Sequence, residues 1–212
     1  MQRYKLFYNK AIFSVIRYEH NTQTETSLEN CFVYSSVLDL KKIFSLFLNN
    51  NQSVTIVCET SEEEENLWNE VKKYFICKQA AGGIVFKEDT VLSIYRFNHW
   101  DFPKGHVEKG ETDIQAAIRE VMEETDIDEL SIYKDLGYTY HIFPSDNQFV
   151  LKKTHWFEMQ TSSNHTLFPQ VEESIEKAEW IPVNQLNTII NNMYPSLVDL
   201  LERNNLVFDK QV

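Results

Sequence analysis

The chain has 212 residues, a formal net charge of −12, and 42% hydrophobic and 13% aromatic side chains. That length suits one large domain or a domain with a smaller companion, and that composition can bury a core, which excludes global disorder. The acidic balance argues against a protein that wraps nucleic acid, but not against a small phosphorylated ligand, because a bound cation supplies positive charge locally.

In chain order, residues 4–8 and 11–18 read as two short strands joined by a turn at Asn9-Lys10. Residues 20–30 are polar and read as a loop. Over 37–48, Leu38, Ile43, Leu46 and Phe47 come near helical spacing, and 54–58 reads as a buried strand. Ser61 is a candidate N-cap, with Glu64 completing a capping box, for a helix over 61–75 whose apolar stripe is Leu67, Trp68, Val71 and Phe75. Residues 1–78 therefore form a small α/β unit without a chemical motif. Dimerisation, substrate shaping and plain structural extension are the roles left open, and a homodimer is one expectation. Cys31, Cys58 and Cys77 are odd in number and lack C-x-x-C spacing, which predicts reduced, buried thiols in a cytoplasmic protein. No signal-like apolar run opens the sequence, and no stretch of about 18 apolar residues predicts a membrane span.

A second unit is expected over residues 79–212. Small residues lead into a strand at 80–86, and a turn at 87–90 leads to another at 91–95. Further strands are expected at 130–136, 137–143, 152–159 and 179–182, a helix at 183–191, and a last helix and tail at 195–208. Strands interspersed with helices predict an α/β domain with a mixed sheet covered by helices.

The most informative segment begins at Gly105: G-H-V-E-K-G-E-T-D-I-Q-A-A-I-R-E-V-M-E-E-T-D-I. Thr112 caps a helix and Gln115 completes a capping box. Ile114, Ala117, Ile118 and Val121 fall on one face, which predicts burial. Glu120, Glu123 and Glu124 lie within an arc of about 100° beside it. Carboxylates this close repel one another unless a cation lies among them, and oxygen ligands favour Mg²⁺, with Mn²⁺ as a substitute.

The segment resembles the Nudix box, G-x5-E-x7-R-E-U-x-E-E-x-G-U with U apolar. Gly105, Glu111, Arg119, Glu120, Val121, Glu123, Glu124 and Ile127 match, and Asp126 stands in place of the last glycine. The resemblance covers about residues 79–186. It implies a Nudix α/β/α sandwich and a Mg²⁺-dependent pyrophosphohydrolase. It also implies metal ligation by Glu120, Glu123, Glu124 and the Gly105 carbonyl, with Arg119 orienting the glutamates and tying the Glu111 loop to the helix. A further glutamate outside the box is expected to ligate metal or act as base, Glu173 before Glu172. The general base stays open among Glu120, Glu124 and that outer glutamate. Aspartate tolerates the left-handed conformation that glycine would adopt at 126, at a cost near ~1 kcal/mol.

The run from Trp100 to Glu111, W-D-F-P-K-G-H-V-E-K-G-E, resembles the form found in Nudix hydrolases of diadenosine polyphosphates and diphosphoinositol compounds. This implies that Lys104 and His106 face a phosphate chain. Arg96 follows a strand and could reach the same phosphates or form a surface ion pair. Tyr138 and Tyr140, with Phe143 and Trp156, are candidate stacking platforms for adenine, and Lys153 and His155 are further phosphate candidates. The expected substrate is a small phosphorylated nucleotide, a dinucleoside polyphosphate such as diadenosine tetraphosphate. The alternatives are a diphosphoinositol polyphosphate, a nucleoside triphosphate, ADP-ribose, an RNA 5′ end, or a non-catalytic nucleotide sensor. The complete glutamate set speaks against the sensor.

Overall fold

The computed structural model describes residues 4–17, 30–35 and 38–206. The loop expected at 20–29, Tyr18, Val37 and the tail from 207 lie outside the described residues. In chain order the elements are β1 (Tyr4–Tyr8), β2 (Ala11–Arg17), β3 (Cys31–Val33), α1 (Leu40–Phe44), β4 (Val54–Cys58), α2 (Ser61–Lys72) and β5 (Ile76–Lys87). Then come β6 (Thr90–Arg96), β7 (His99–Asp101), β8 (Lys104–His106), α3 (Asp113–Thr125), β9 (Leu130–Ser145), β10 (Gln148–Thr161), β11 (Ile175–Pro182), α4 (Leu186–Ile189) and α5 (Pro195–Arg203). Two compact units divide the chain: Met1–Lys78 with Tyr140–Lys152, and Gln79–Thr139 with Lys153–Val212.

In the first unit β1 and β2 form an antiparallel hairpin, β2 and β3 each run parallel to β4, and β1 pairs in parallel with β9 at Leu6 and Tyr140. Leu6, Phe13, Phe47, Ile56, Leu67 and Val71 are fully buried there. The helix expected over 37–48 is a short α1 that widens into a π-helical turn over Ser45–Asn49. The cap of α2 is Thr60, whose side chain accepts from Glu63 N, and Glu63 reaches back to the amide of Glu59. The Ser61–Glu64 box is therefore displaced by one residue, because Thr60 already holds the extended conformation a cap needs.

In the second unit adjacent residues of each strand point to opposite faces, as a pleat requires. Ile84, Val91 and Trp156 join a cluster with Leu197, Leu200 and Leu201 of α5, while their neighbours Val85, Leu92 and Phe157 join Ala116, Ala117 and Val121 of α3. Helices thus cover both faces of a mixed sheet, which is the α/β/α sandwich. The strands expected at 130–136 and 137–143 are one strand, β9, bent at Gly137 with φ +78°. Two short strands, β7 and β8, carry no periodic signal and escaped the sequence reading. They fix the loop ahead of α3, with β8 pairing Ala81 to Gly105.

Candidate active site

The capping box at Thr112 and Gln115 forms as expected, with both side-chain bonds present. The buried face of α3 differs from the expected one. Ala116, Ala117, Val121, Glu124 and Thr125 are buried, while Ile114 is exposed and Ile118 only partly covered. Small residues let the helix lie close on the sheet. A Cβ on Gly83 would meet Val121 and Met159 within 3 Å. The rotation sends a glutamate inward, and a buried carboxylate must be matched by charge.

Arg96 supplies that match. The residue is 8% exposed. Nη1 donates to Glu124 Oε1 at 3.0 Å, and Nε donates to Asp101 Oδ2 at 3.2 Å. The backbone amide of Lys104 donates to the other Glu124 oxygen at 2.9 Å, and its ammonium is paired with Asp101. Burial pushes the Glu124 carboxyl up to about 7 against the pull of Arg96 and Lys104. Burial also acts to raise Asp101, yet Lys104 and Arg96 hold it below the usual carboxylate range. These placements revise two expectations. Arg96 is a buried strut and not a surface ion pair, and the Lys104 ammonium is engaged by Asp101. Asp101 itself escaped the sequence reading. Its signal was a lone acid between Trp100 and Phe102 in an apolar stretch.

Arg119 forms the second hub. Nε and Nη2 bind the two Glu111 oxygens, each at 2.9 Å, as a fork. Nη1 donates to Glu120 at 2.8 Å and to Glu123 at 3.0 Å, and Nη2 donates to the His106 carbonyl at 2.9 Å. One side chain thus joins the loop to two glutamates of the helix. Its bond to Glu111 holds that carboxyl below its ordinary value and makes the guanidinium still harder to deprotonate. Burial, with Glu123 and Glu173 nearby, raises Glu120 despite Arg119. Gly105 lies against Glu120 so closely that any Cβ would occupy the space of its carboxylate.

Residues 168–170 bring Glu173 in. The amides of Phe168 and Gln170 donate to the carbonyls of Thr125 and Glu124, each at 3.1 Å, which satisfies the open end of α3. The charge of Glu173 is felt at both Glu120 and Arg96. Among the described residues no three His, Cys, Asp or Glu side chains already converge in metal-ligand geometry. Instead, guanidinium groups take up the glutamate charge. The donor set is nevertheless that of a hard divalent ion: carboxylates in excess of their cations, beside a carbonyl whose residue lacks a side chain.

The remaining candidates separate. Tyr138 lies under the Lys153 ammonium, 3.7 Å from the ring centroid, and beside His155 at 4.1 Å. His155 is buried, with Nδ1 2.7 Å from Asp113 and Nε2 3.0 Å from Asp135. It ties the first residue of α3 to the sheet and does not face solvent as a phosphate ligand would. Tyr140 belongs to the first unit and is 5% exposed beneath Tyr4 and Trp68, so neither face is open to a base. Trp156 is core, donating to Thr139 at 2.9 Å. His106 is exposed at the rim.

The NUDIX domain family profile matches residues 78–202. The bis(5′-nucleosyl)-tetraphosphatase [asymmetrical] of Caenorhabditis elegans is 32% identical over 120 residues, covering 52% of this chain and 86% of that one. A putative mutator protein MutT4 of Mycobacterium tuberculosis is 39% identical over 89 residues, 41% of this chain and 34% of its own length, so the chain matches about a third of that relative. The solved C. elegans Ap4A hydrolase binary complex superposes with a TM-score of 0.48 at 22% identity, over 60% of this chain and 95% of that one. The chain belongs to the Nudix family. Among the described residues no helix is long and apolar enough to cross a membrane.

Proposed function

We propose that this protein is a divalent-metal-dependent hydrolase of a phosphoanhydride bond, and that its substrate is a dinucleoside polyphosphate such as diadenosine tetraphosphate. The observation that carries the reading is Arg119 holding Glu111, Glu120 and Glu123 together, with Glu120 against a side-chain-free Gly105 and Glu173 within electrostatic reach. The tetraphosphatase relative supports the substrate class. Glu120, Glu123, Glu124, Glu173 and the Gly105 carbonyl would hold the ion, Mg²⁺ with Mn²⁺ as a substitute. When bound, such an ion neutralises phosphate charge and makes water a stronger nucleophile.

The chain's own groups do the rest. Arg119 keeps Glu111, Glu120 and Glu123 in register. Arg96 does the same for Glu124. A carboxyl pushed up to about 7 can take a proton from water near neutral pH, so Glu124 is suited to the role of base. Glu120, raised by burial and by its acidic neighbours, is the rival for that role. His106 and Lys153 face the phosphate chain from the rim, and Tyr138 offers an aromatic surface beside Lys153. Of the three thiols expected to be buried only Cys58 is, with Cys31 half-buried and Cys77 exposed, and a cytoplasmic setting rests on their odd number and spacing.

The test is a product-resolved turnover screen with Mg²⁺ over diadenosine polyphosphates, nucleoside triphosphates, ADP-ribose and diphosphoinositol polyphosphates. Selective cleavage of a diadenosine polyphosphate, lost in Glu124→Gln, is expected. Nucleotide binding without cleavage of any substrate would make the protein a sensor instead.

A further inference from the structure

The turn between β6 and β7 consists of Phe97 and Asn98, with Arg96 paired to His99 across it. Both turn residues have positive φ, 50° and 61°. Two-residue hairpins use this left-handed pair because it follows the strand twist, and they favour Asn, Asp or Gly there. Asn98 fits that rule. Phe97 does not, because a bulky side chain in the left-handed region is strained. The Phe97 ring is also 62% exposed. Strain and exposure both work against the folded state, so packing does not explain a phenylalanine at this position.

Its surroundings suggest another reason. Arg96, the preceding residue, bonds Glu124 in the carboxylate cluster. Antiparallel pairing sets Ile175 opposite Arg96, and the Val171–Glu173 turn leads into that strand. That turn follows the segment bonded to the end of α3, and the Glu173 charge reaches Arg96. Val171 is 73% exposed and Phe168 64%. Phe97 therefore stands exposed one residue from a side chain of the carboxylate cluster, and Val171 and Phe168 stand exposed on the segment that leads to Glu173.

We propose that Phe97 is a platform on which an aromatic nucleobase of the substrate stacks while its phosphates lie over the glutamates. This rests on the phosphohydrolase reading of the site and adds the residues that recognise the nucleoside. Stacking of a base on an aromatic ring tolerates any base and distinguishes a nucleoside from a bare phosphate chain. A dinucleoside polyphosphate carries a base at each end, so a second platform, apart from Tyr138, is what such a substrate needs.

The test compares α,β-methylene-ADP with methylenediphosphonate by titration calorimetry in Mg²⁺, for the wild type, Phe97→Ala and Phe97→Asn. These probes share an unhydrolysable phosphonate, and only the first carries a nucleoside. The wild type is expected to prefer the nucleoside probe by about tenfold or more. Both variants are expected to lose that preference while keeping their affinity for the diphosphonate. Phe97→Asn is also expected to melt about 2–4 °C higher, because asparagine fits the turn. A preference that survives in both folded variants overturns the platform but leaves the phosphate site standing. A wild type that binds neither probe overturns the phosphate site and the platform together.

Discussion

Glu124 shows how burial and charge combine in one side chain. Its folded-state carboxyl is pushed up to about 7 from an ordinary value of 4.5. A carboxyl raised in this way holds its proton in the folded chain where the unfolded chain releases it. Its stabilising contribution is therefore fully present below about 4.5 and is lost as pH rises through 7. The metal-free protein should melt progressively lower between pH 5 and 7.5, and added Mg²⁺ should restore most of the loss. Asp101, held low by its cations despite burial, acts in the opposite direction and only in acid. Melting curves across this range for wild type and Glu124→Gln check the assignment, and an equal slope in the variant would remove it. Turnover by Glu124→Gln or Glu123→Gln should fall by orders of magnitude with the fold retained. Asp126 is left-handed, with φ 60°, and its amide bonds Met122 O at 2.8 Å. Asp126→Gly should leave activity intact and raise stability by up to about 1 kcal/mol, read from denaturant unfolding.

For a single element, the decisive feature is how α3 is held at both ends. At the N-terminus Thr112 and Gln115 close the capping box, and His155 ties Asp113 to the sheet at 2.7 Å. At the C-terminus Phe168 and Gln170 bond the last carbonyls. Along its side, Arg119 binds it to the preceding loop. Arg119→Lys keeps the charge but replaces a planar fork with a point donor. It should lose most activity while far-UV circular dichroism stays unchanged, and full activity in the lysine variant would show that charge alone suffices. Gly105→Ala should be as damaging, because its Cβ displaces the Glu120 carboxylate. Thr112→Ala should cost about 1 kcal/mol of stability and little turnover.

Across the molecule, β9 and β10 contribute to both units. Tyr140, Ile142, Val150 and Leu151 are buried within the first unit, where Tyr140 packs on Tyr4 and Trp68. Removing residues 1–78 would strip these side chains of their partners. A chain of residues 79–212 alone should therefore aggregate or melt far lower than the whole protein. A soluble, fully active fragment would show that the hairpin end needs no cover. The first unit also keeps Cys58 inert, since burial and then Glu63 and Glu64 push its thiol up to about 12.

The helix that carries the chemistry, from the Thr112 cap to the exit at Asp126, was legible in the chain because caps and helical spacing are local properties. So were the glutamates and the arginine that the box places in register. Which face of α3 is buried was set by packing in three dimensions. That face is chosen by Ala116, Ala117 and Val121 packing on the sheet, Val121 against Gly83, and by a buried cation, Arg96, 28 positions from Glu124. Tertiary structure likewise sent the Lys104 ammonium to Asp101 and Tyr140 into a core. These pairings join residues distant in sequence, and charge compensation and strand register act through space, where no local pattern records them.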